Sequence, residues 1–108
     1  MKNSDRIEQL KRFAEEDPND SFSRFALALE YMKGNDLQQA AGLFVHILKR
    51  DPEYSGAYYH LGKVYELLGR GDDARTTYTK GITVCTRQQD LHAAQELKQA
   101  LNELEETD

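Results

Sequence analysis

The side chains best suited to chemistry in this chain are three histidines, His46, His60 and His92, one cysteine, Cys85, and several paired carboxylates. His92 and Glu96 stand four residues apart, which puts both on one helix face and makes half of a metal site. A structural zinc takes four ligands, and no Cys or His pair completes this one. A nucleophilic role for Cys85 needs a base, a group that orients it and an oxyanion donor, and the sequence supplies no such set. The role of a small buried apolar residue suits it better. Gly69-Arg70-Gly71 lacks the Lys-Ser/Thr ending and the preceding strand of a phosphate loop. Glu15-Glu16, Asp72-Asp73 and Glu105-Glu106 fall at helix ends, where acidic groups are common. No catalytic site, metal or cofactor is therefore expected.

The elements that carry these residues read as a single domain of 108 residues. The formal net charge is −5, with residues 1–50 in balance and the excess lying in 51–108, much of it in Glu103, Glu105, Glu106 and Asp108. Phosphate binding needs clustered Lys and Arg. The only basic doublets, Lys11-Arg12 and Lys49-Arg50, are both followed by acidic residues, so no nucleic-acid partner is expected. No apolar run reaches the length of a membrane span or signal peptide, so no membrane partner is expected either. Together with a lone cysteine this points to the cytoplasm, and the Asn19-Asp20-Ser21 acceptor pattern is taken as coincidence.

The chain repeats itself. Leu27, Tyr31, Ala40 and Phe44 are answered 34 residues later by Leu61, Tyr65, Ala74 and Tyr78, and Asp17-Pro18 by Asp51-Pro52. A period of this length marks stacked helical hairpins. Six helices follow from apolar periodicity and caps: about 4–16, 21–33, 36–50, 53–68, 72–88 and 91–105. The first carries an Ile7, Leu10, Phe13 and Ala14 stripe behind a capping-box-like Asp5 and Glu8. Gly34-Asn35 closes the second with a left-handed cap. The third, capped by Asp36 with Gln39, is apolar nearly all round. Thr76, Thr77, Thr79, Thr83 and Thr86 weaken the fifth by propensity alone, and the repeat restores it. Leu91, Ala94, Leu97, Leu101 and Leu104 stripe the sixth, with Asp90 as its cap.

In detail the pattern resembles a tetratricopeptide repeat. One copy runs Arg24-x2-Leu27-Ala28-x2-Tyr31, Ala40-x3-Phe44, Pro52; the next runs Tyr58-x2-Leu61-Gly62-x2-Tyr65, Ala74-x3-Tyr78, Thr86. Arg24 stands for the first aromatic, Thr86 for Pro, and Gly81 where Ala is usual. The small residues Ala28, Gly62, Ala40 and Ala74 fall where paired helices cross. The resemblance implies an all-α α-solenoid of antiparallel helix hairpins, about six helices in one domain: a half-repeat helix over 4–16, repeats over 21–52 and 55–88, and a capping helix over 90–105.

The resemblance also implies a non-enzymatic module that binds another protein on a concave wall lined by the first helix of each hairpin. That wall would show Phe22, Phe25, Leu29 and Met32, then Tyr59, His60 and Lys63, with His92, Gln95, Glu96 and Gln99 from the cap. It is apolar towards its N-terminal end and polar towards its C-terminal end, and a helix-in-groove ligand suits it. Chaperone-binding members hold a terminal carboxylate with Lys, Arg and Asn. The matching positions here are Phe25, Leu29, His60, His92 and Glu96, so an acidic chaperone tail is not the expected ligand. The alternative is a self-associating scaffold, a homodimer through the apolar N-terminal wall.

Overall fold

In the computed structural model, which describes residues 3–107, the chain forms six α-helices and, among the described residues, no strand. They are α1 (Asn3–Glu16), α2 (Ser21–Lys33), α3 (Leu37–Arg50), α4 (Gly56–Leu67), α5 (Gly71–Arg87) and α6 (Leu91–Thr107). Asp108, counted in the acidic tail above, lies outside the described residues. The helices fall into two compact units, Met1–Asp51 with α1–α3 and Pro52–Asp108 with α4–α6.

In the N-terminal unit α2 packs on both α1 and α3. Leu10, Ala14, Leu27, Ala28, Ala40, Ala41, Phe44 and Ile47 are its buried apolar side chains. The Phe25 ring meets the fully buried Phe44 edge-on, with centroids 5.8 Å apart. Phe13, expected on the α1 core stripe, is 45% exposed. The stripe narrows to Leu10 and Ala14, four apart on one face. Arg24, the departure from the repeat's aromatic, serves the backbone instead. Its guanidinium donates to the carbonyls of Ala14 (2.9 Å), Asp17 (3.1 Å) and Asp20 (3.3 Å). It thereby satisfies acceptors that a helix end leaves without partners. The buried Glu30 carboxylate accepts from Arg6 Nε at 2.8 Å and pairs with Lys33 at 3.4 Å, which ties α1 to α2. Helix α1 starts at Asn3, so Asp5 lies inside the first turn rather than at the cap. His46, on a helix expected to be buried on more than one side, is exposed, as are Gly42 and Lys49 on the same stripe.

In the C-terminal unit α5 packs between α4 and α6. Ala57, Tyr58, Leu61, Val64, Ala74, Tyr78, Val84, Cys85, Ala94, Leu97, Ala100 and Leu104 are buried. Two α5 threonines donate back along the helix, Thr77 Oγ1 to the Asp73 carbonyl and Thr79 Oγ1 to that of Arg75, both at 2.8 Å, and packing of the buried α5 face outweighs their poor propensity. The repeat's glycines explain themselves sterically. A Cβ on Gly62 would lie 2.1 Å from Tyr78 Cε1, and one on Gly81 would lie 2.6 Å from Tyr58 Cβ and 3.0 Å from Leu97 Cδ1. So Gly81 stands where Ala is usual because three helices meet there. Leu91, expected on the core stripe of α6, is 70% exposed, and Ala100 takes its share of the core. Helix α4 starts at Gly56, three residues later than expected, and Glu53 lies in the turn before it. Its carbonyl accepts from Gln88 Nε2 at 2.8 Å, and its carboxylate accepts from Arg87 and Gln88.

Asp caps start α2, α3 and α6: Asp20 accepts from Ser23 N at 2.8 Å, Asp36 from Gln39 N at 3.4 Å and Asp90 from Ala93 N at 3.1 Å. Three turns then share one geometry. After α2, α4 and α5 a residue adopts positive φ, namely Asn35 (60°), Gly69 (75°) and Gln89 (62°). In each turn the following N–H reaches back five residues: Asp36 to Tyr31 (2.8 Å), Arg70 to Tyr65 (2.8 Å) and Asp90 to Cys85 (2.9 Å). These are Schellman motifs. The left-handed residue of the first is Asn35, not Gly34, whose φ is −82°. The absence of proline at Thr86 has the same cause, since α5 and α6 are joined by the tight turn found inside a hairpin. Gln89 is the least suited of the three residues to this conformation. Gln89→Gly is expected to stabilise the protein by about 1 kcal/mol. A urea midpoint at or below that of the parent chain would contradict the assignment of strain to Gln89.

Candidate protein-binding cleft

The residues expected to bind a partner fall into two groups, one in each unit. In the N-terminal unit Phe22 opens α2 and is 72% exposed, whereas Phe25, Leu29 and Met32 are half-buried. Phe25 is committed to Phe44, so of these four only Phe22 offers a largely bare side chain.

In the C-terminal unit Tyr59, His60 and Lys63 are half-buried and line two adjoining clefts with α6. One encloses about 350 Å³ between Ser55, Gly56, Tyr59, His60, Asp90, Ala93, Glu96 and Leu97. The other, about 180 Å³, lies between Tyr59, Lys63, Glu96, Gln99, Ala100 and Glu103. Tyr59 and Glu96 belong to both. Helical spacing explains the lining: 56, 59, 60 and 63 form one stripe of α4, while 93, 96, 97, 100 and 103 form one stripe of α6. Glu96 and Gln99 lie where the sequence places them. His92 and Gln95 do not line either cleft, and Glu103 was missed. The signal for it was present, because Glu103 follows Glu96 by seven residues and Gln99 by four.

The rings of Tyr59 and His60 stand nearly perpendicular, at 87° with centroids 5.6 Å apart. Lys63 Nζ lies 5.6 Å from the Tyr59 centroid and 3.8 Å from Glu66 Oε2. Glu66 also accepts from the buried Tyr78 hydroxyl, so core and cleft are linked through one carboxylate. Burial pushes the His60 imidazole below its usual range, which leaves it neutral at pH 7. Burial, then the bond to Glu66, pushes Tyr78 far above the usual phenol range. Cys85 is fully buried and its thiol is pushed up, chiefly by burial, away from the reactive thiolate. His92 Nε2 lies 3.4 Å from Glu96 Oε1. Among the described residues no group of three or more His, Cys, Asp or Glu is arranged to hold a metal ion, and no helix is long and apolar enough to cross a membrane.

Known proteins resemble this chain in sequence and fold. The tetratricopeptide repeat family model matches residues 1–82. A tetratricopeptide repeat domain protein from Salinibacter ruber is 42% identical, over 85% of this chain and 93% of that one, with a TM-score of 0.80. The TPR2B domain of yeast Sti1, solved in complex with pHsp70, superposes with a TM-score of 0.88 at 15% identity, covering 94% of this chain and 82% of that one. YrrB, described as a TPR protein with an unusual peptide-binding site, gives a TM-score of 0.64 at 22% identity, covering 94% of this chain and 60% of that one. No curated protein matches the chain. With the helix-crossing glycines, the hairpin turns and the family match in agreement, the chain belongs to the tetratricopeptide repeat family.

Proposed function

We propose that the protein is a non-enzymatic interaction module that holds a segment of another protein in the α4/α6 cleft, through Tyr59, His60 and Lys63 on one side and Glu96 and Gln99 on the other. The observation that carries this reading is the pair of adjoining clefts sharing Tyr59 and Glu96. Their size and mixture of aromatic, apolar and polar walls suit a few side chains of a polypeptide. Family membership supports it, as do the peptide-binding site described for YrrB and the pHsp70 complex of the Sti1 domain, two proteins that share the fold. Tyr59 is the natural anchor, a large ring with a polar tip at the centre of the lining. Tyr59→Ala is expected to weaken capture of the partner by about tenfold or more while leaving the helical circular dichroism unchanged. Equal capture by parent and variant would remove the cleft from the function.

A second reading, self-association of the N-terminal unit, is favoured by the exposure of Phe22. Light scattering decides it: a strict monomer at high concentration excludes a homodimer.

A further inference from the structure

We propose that the segment held in the α4/α6 cleft is cationic, with Lys or Arg side chains about three residues apart in a polyproline II backbone. This rests on the reading of that cleft as the partner site and adds the chemistry of the partner to it. The cleft is a groove between α4 and α6 whose apolar ground is confined to the end at Ala93, and charge is what selects its occupant. Asp90, Glu96 and Glu103 border it. Among the lining residues the cation is Lys63, and its charge is already met by Glu66 at 3.8 Å. His60, neutral at pH 7, adds no positive charge. A carboxylate-bearing tail would therefore face three carboxylates, whereas an ammonium or guanidinium gains charge-assisted hydrogen bonds.

The aromatic wall agrees independently. Lys63 Nζ lies over the Tyr59 ring, with His60 perpendicular beside it, so this wall already makes the kind of contact that cations favour. The apolar share of the larger cleft suits the aliphatic stem of a Lys or Arg, whose charged head reaches outward to the carboxylates. Spacing sets the register. Glu96 and Glu103, seven residues apart on one helix, stand roughly 10 Å apart along its axis. A polyproline II segment, with three residues per turn and a rise of about 3.1 Å, returns a side chain to the same side after roughly 9 Å.

The test uses the intact chain and three fluorescent decapeptides of Ala and Ser carrying Lys, Glu or Gln at every third position, read by anisotropy at low and physiological salt. The Lys peptide is expected to bind about tenfold or more tightly than the others, less so as salt rises. The double substitution Glu96→Lys and Glu103→Lys should lose this binding and favour the Glu peptide. The milder Glu96→Gln and Glu103→Gln pair, checked for folding by circular dichroism, should weaken it in the same direction. Glu106→Lys, one charge reversal on α6 outside the cleft, should leave it within about twofold. Equal loss in Glu106→Lys would reduce the effect to net charge and overturn the proposal. Equal or tighter binding of the Glu or Gln peptide, abolished by Tyr59→Ala, would overturn the cationic preference while keeping the cleft as partner site. Binding of none of the three would overturn both.

Discussion

Replacing Tyr78 by alanine is expected to lower stability by about 3–5 kcal/mol, the largest effect expected of a single substitution in this chain. Tyr78 is among the largest fully buried side chains, sits in the middle of α5 and lies against Gly62 of α4. Removing the ring leaves a void that α4 and α5 cannot close without giving up their crossing, and it takes away the hydroxyl that Glu66 accepts. Tyr78→Phe separates the two contributions. It keeps the packing and loses the hydrogen bond, at a cost of about 1 kcal/mol, because Glu66 is partly exposed and retains Lys63. Urea unfolding followed by circular dichroism measures both. A Tyr78→Ala chain within about 1 kcal/mol of the parent would mean that the α4–α5 contact is not the core of the C-terminal unit.

Gly62→Ala is expected to destabilise by about 1–3 kcal/mol, against the ordinary preference of helices for alanine. The new methyl would meet the Tyr78 ring carbons at 2.1–2.6 Å, and the buried ring has no free direction in which to retreat. Gly42→Ala supplies the contrast. Gly42 is exposed within α3, a Cβ there meets nothing within 4 Å, and alanine should stabilise by roughly 0.5–1 kcal/mol. The same chemical change thus carries opposite signs at two helical glycines. Thermal melts that moved in the same direction for both would refute the close-approach account of Gly62.

The 34-residue period carried most of the fold in readable form. It marked the two hairpins, apolar periodicity and caps located the six helices, and the small residues at Gly62 and Ala74 followed from where helices must cross. Other features escaped because they depend on a partner far along the chain. Glu53, expected to open α4, instead lies in the turn and accepts from Arg87 and Gln88, 34 and 35 residues away. Arg24 reads as a flaw in the motif until the carbonyls of α1 are seen around it. Phe13 and Leu91 satisfied apolar periodicity yet lie near helix ends, where a stripe overruns its neighbour. At the candidate site Tyr59, His60, Lys63, Glu96 and Gln99 were named by the family resemblance, and helical phase groups them into one stripe on each helix. Exposure was not: it separates Phe22 from Phe25, and periodicity gives both the same face.

Each hairpin is also buckled at its open end. Arg50 at the close of α3 donates to Asn19, the residue after Pro18, and Arg87 at the close of α5 donates to Glu53, the residue after Pro52. Such exposed pairs add little energy each. Their importance is kinetic. With the α2–α3 and α4–α5 contacts they close loops of no more than 35 residues, so either hairpin can assemble from nearby parts of the chain. Low contact order of this kind goes with folding in microseconds to milliseconds, and it keeps brief the interval in which the apolar faces of α3 and α5 stand open to aggregation.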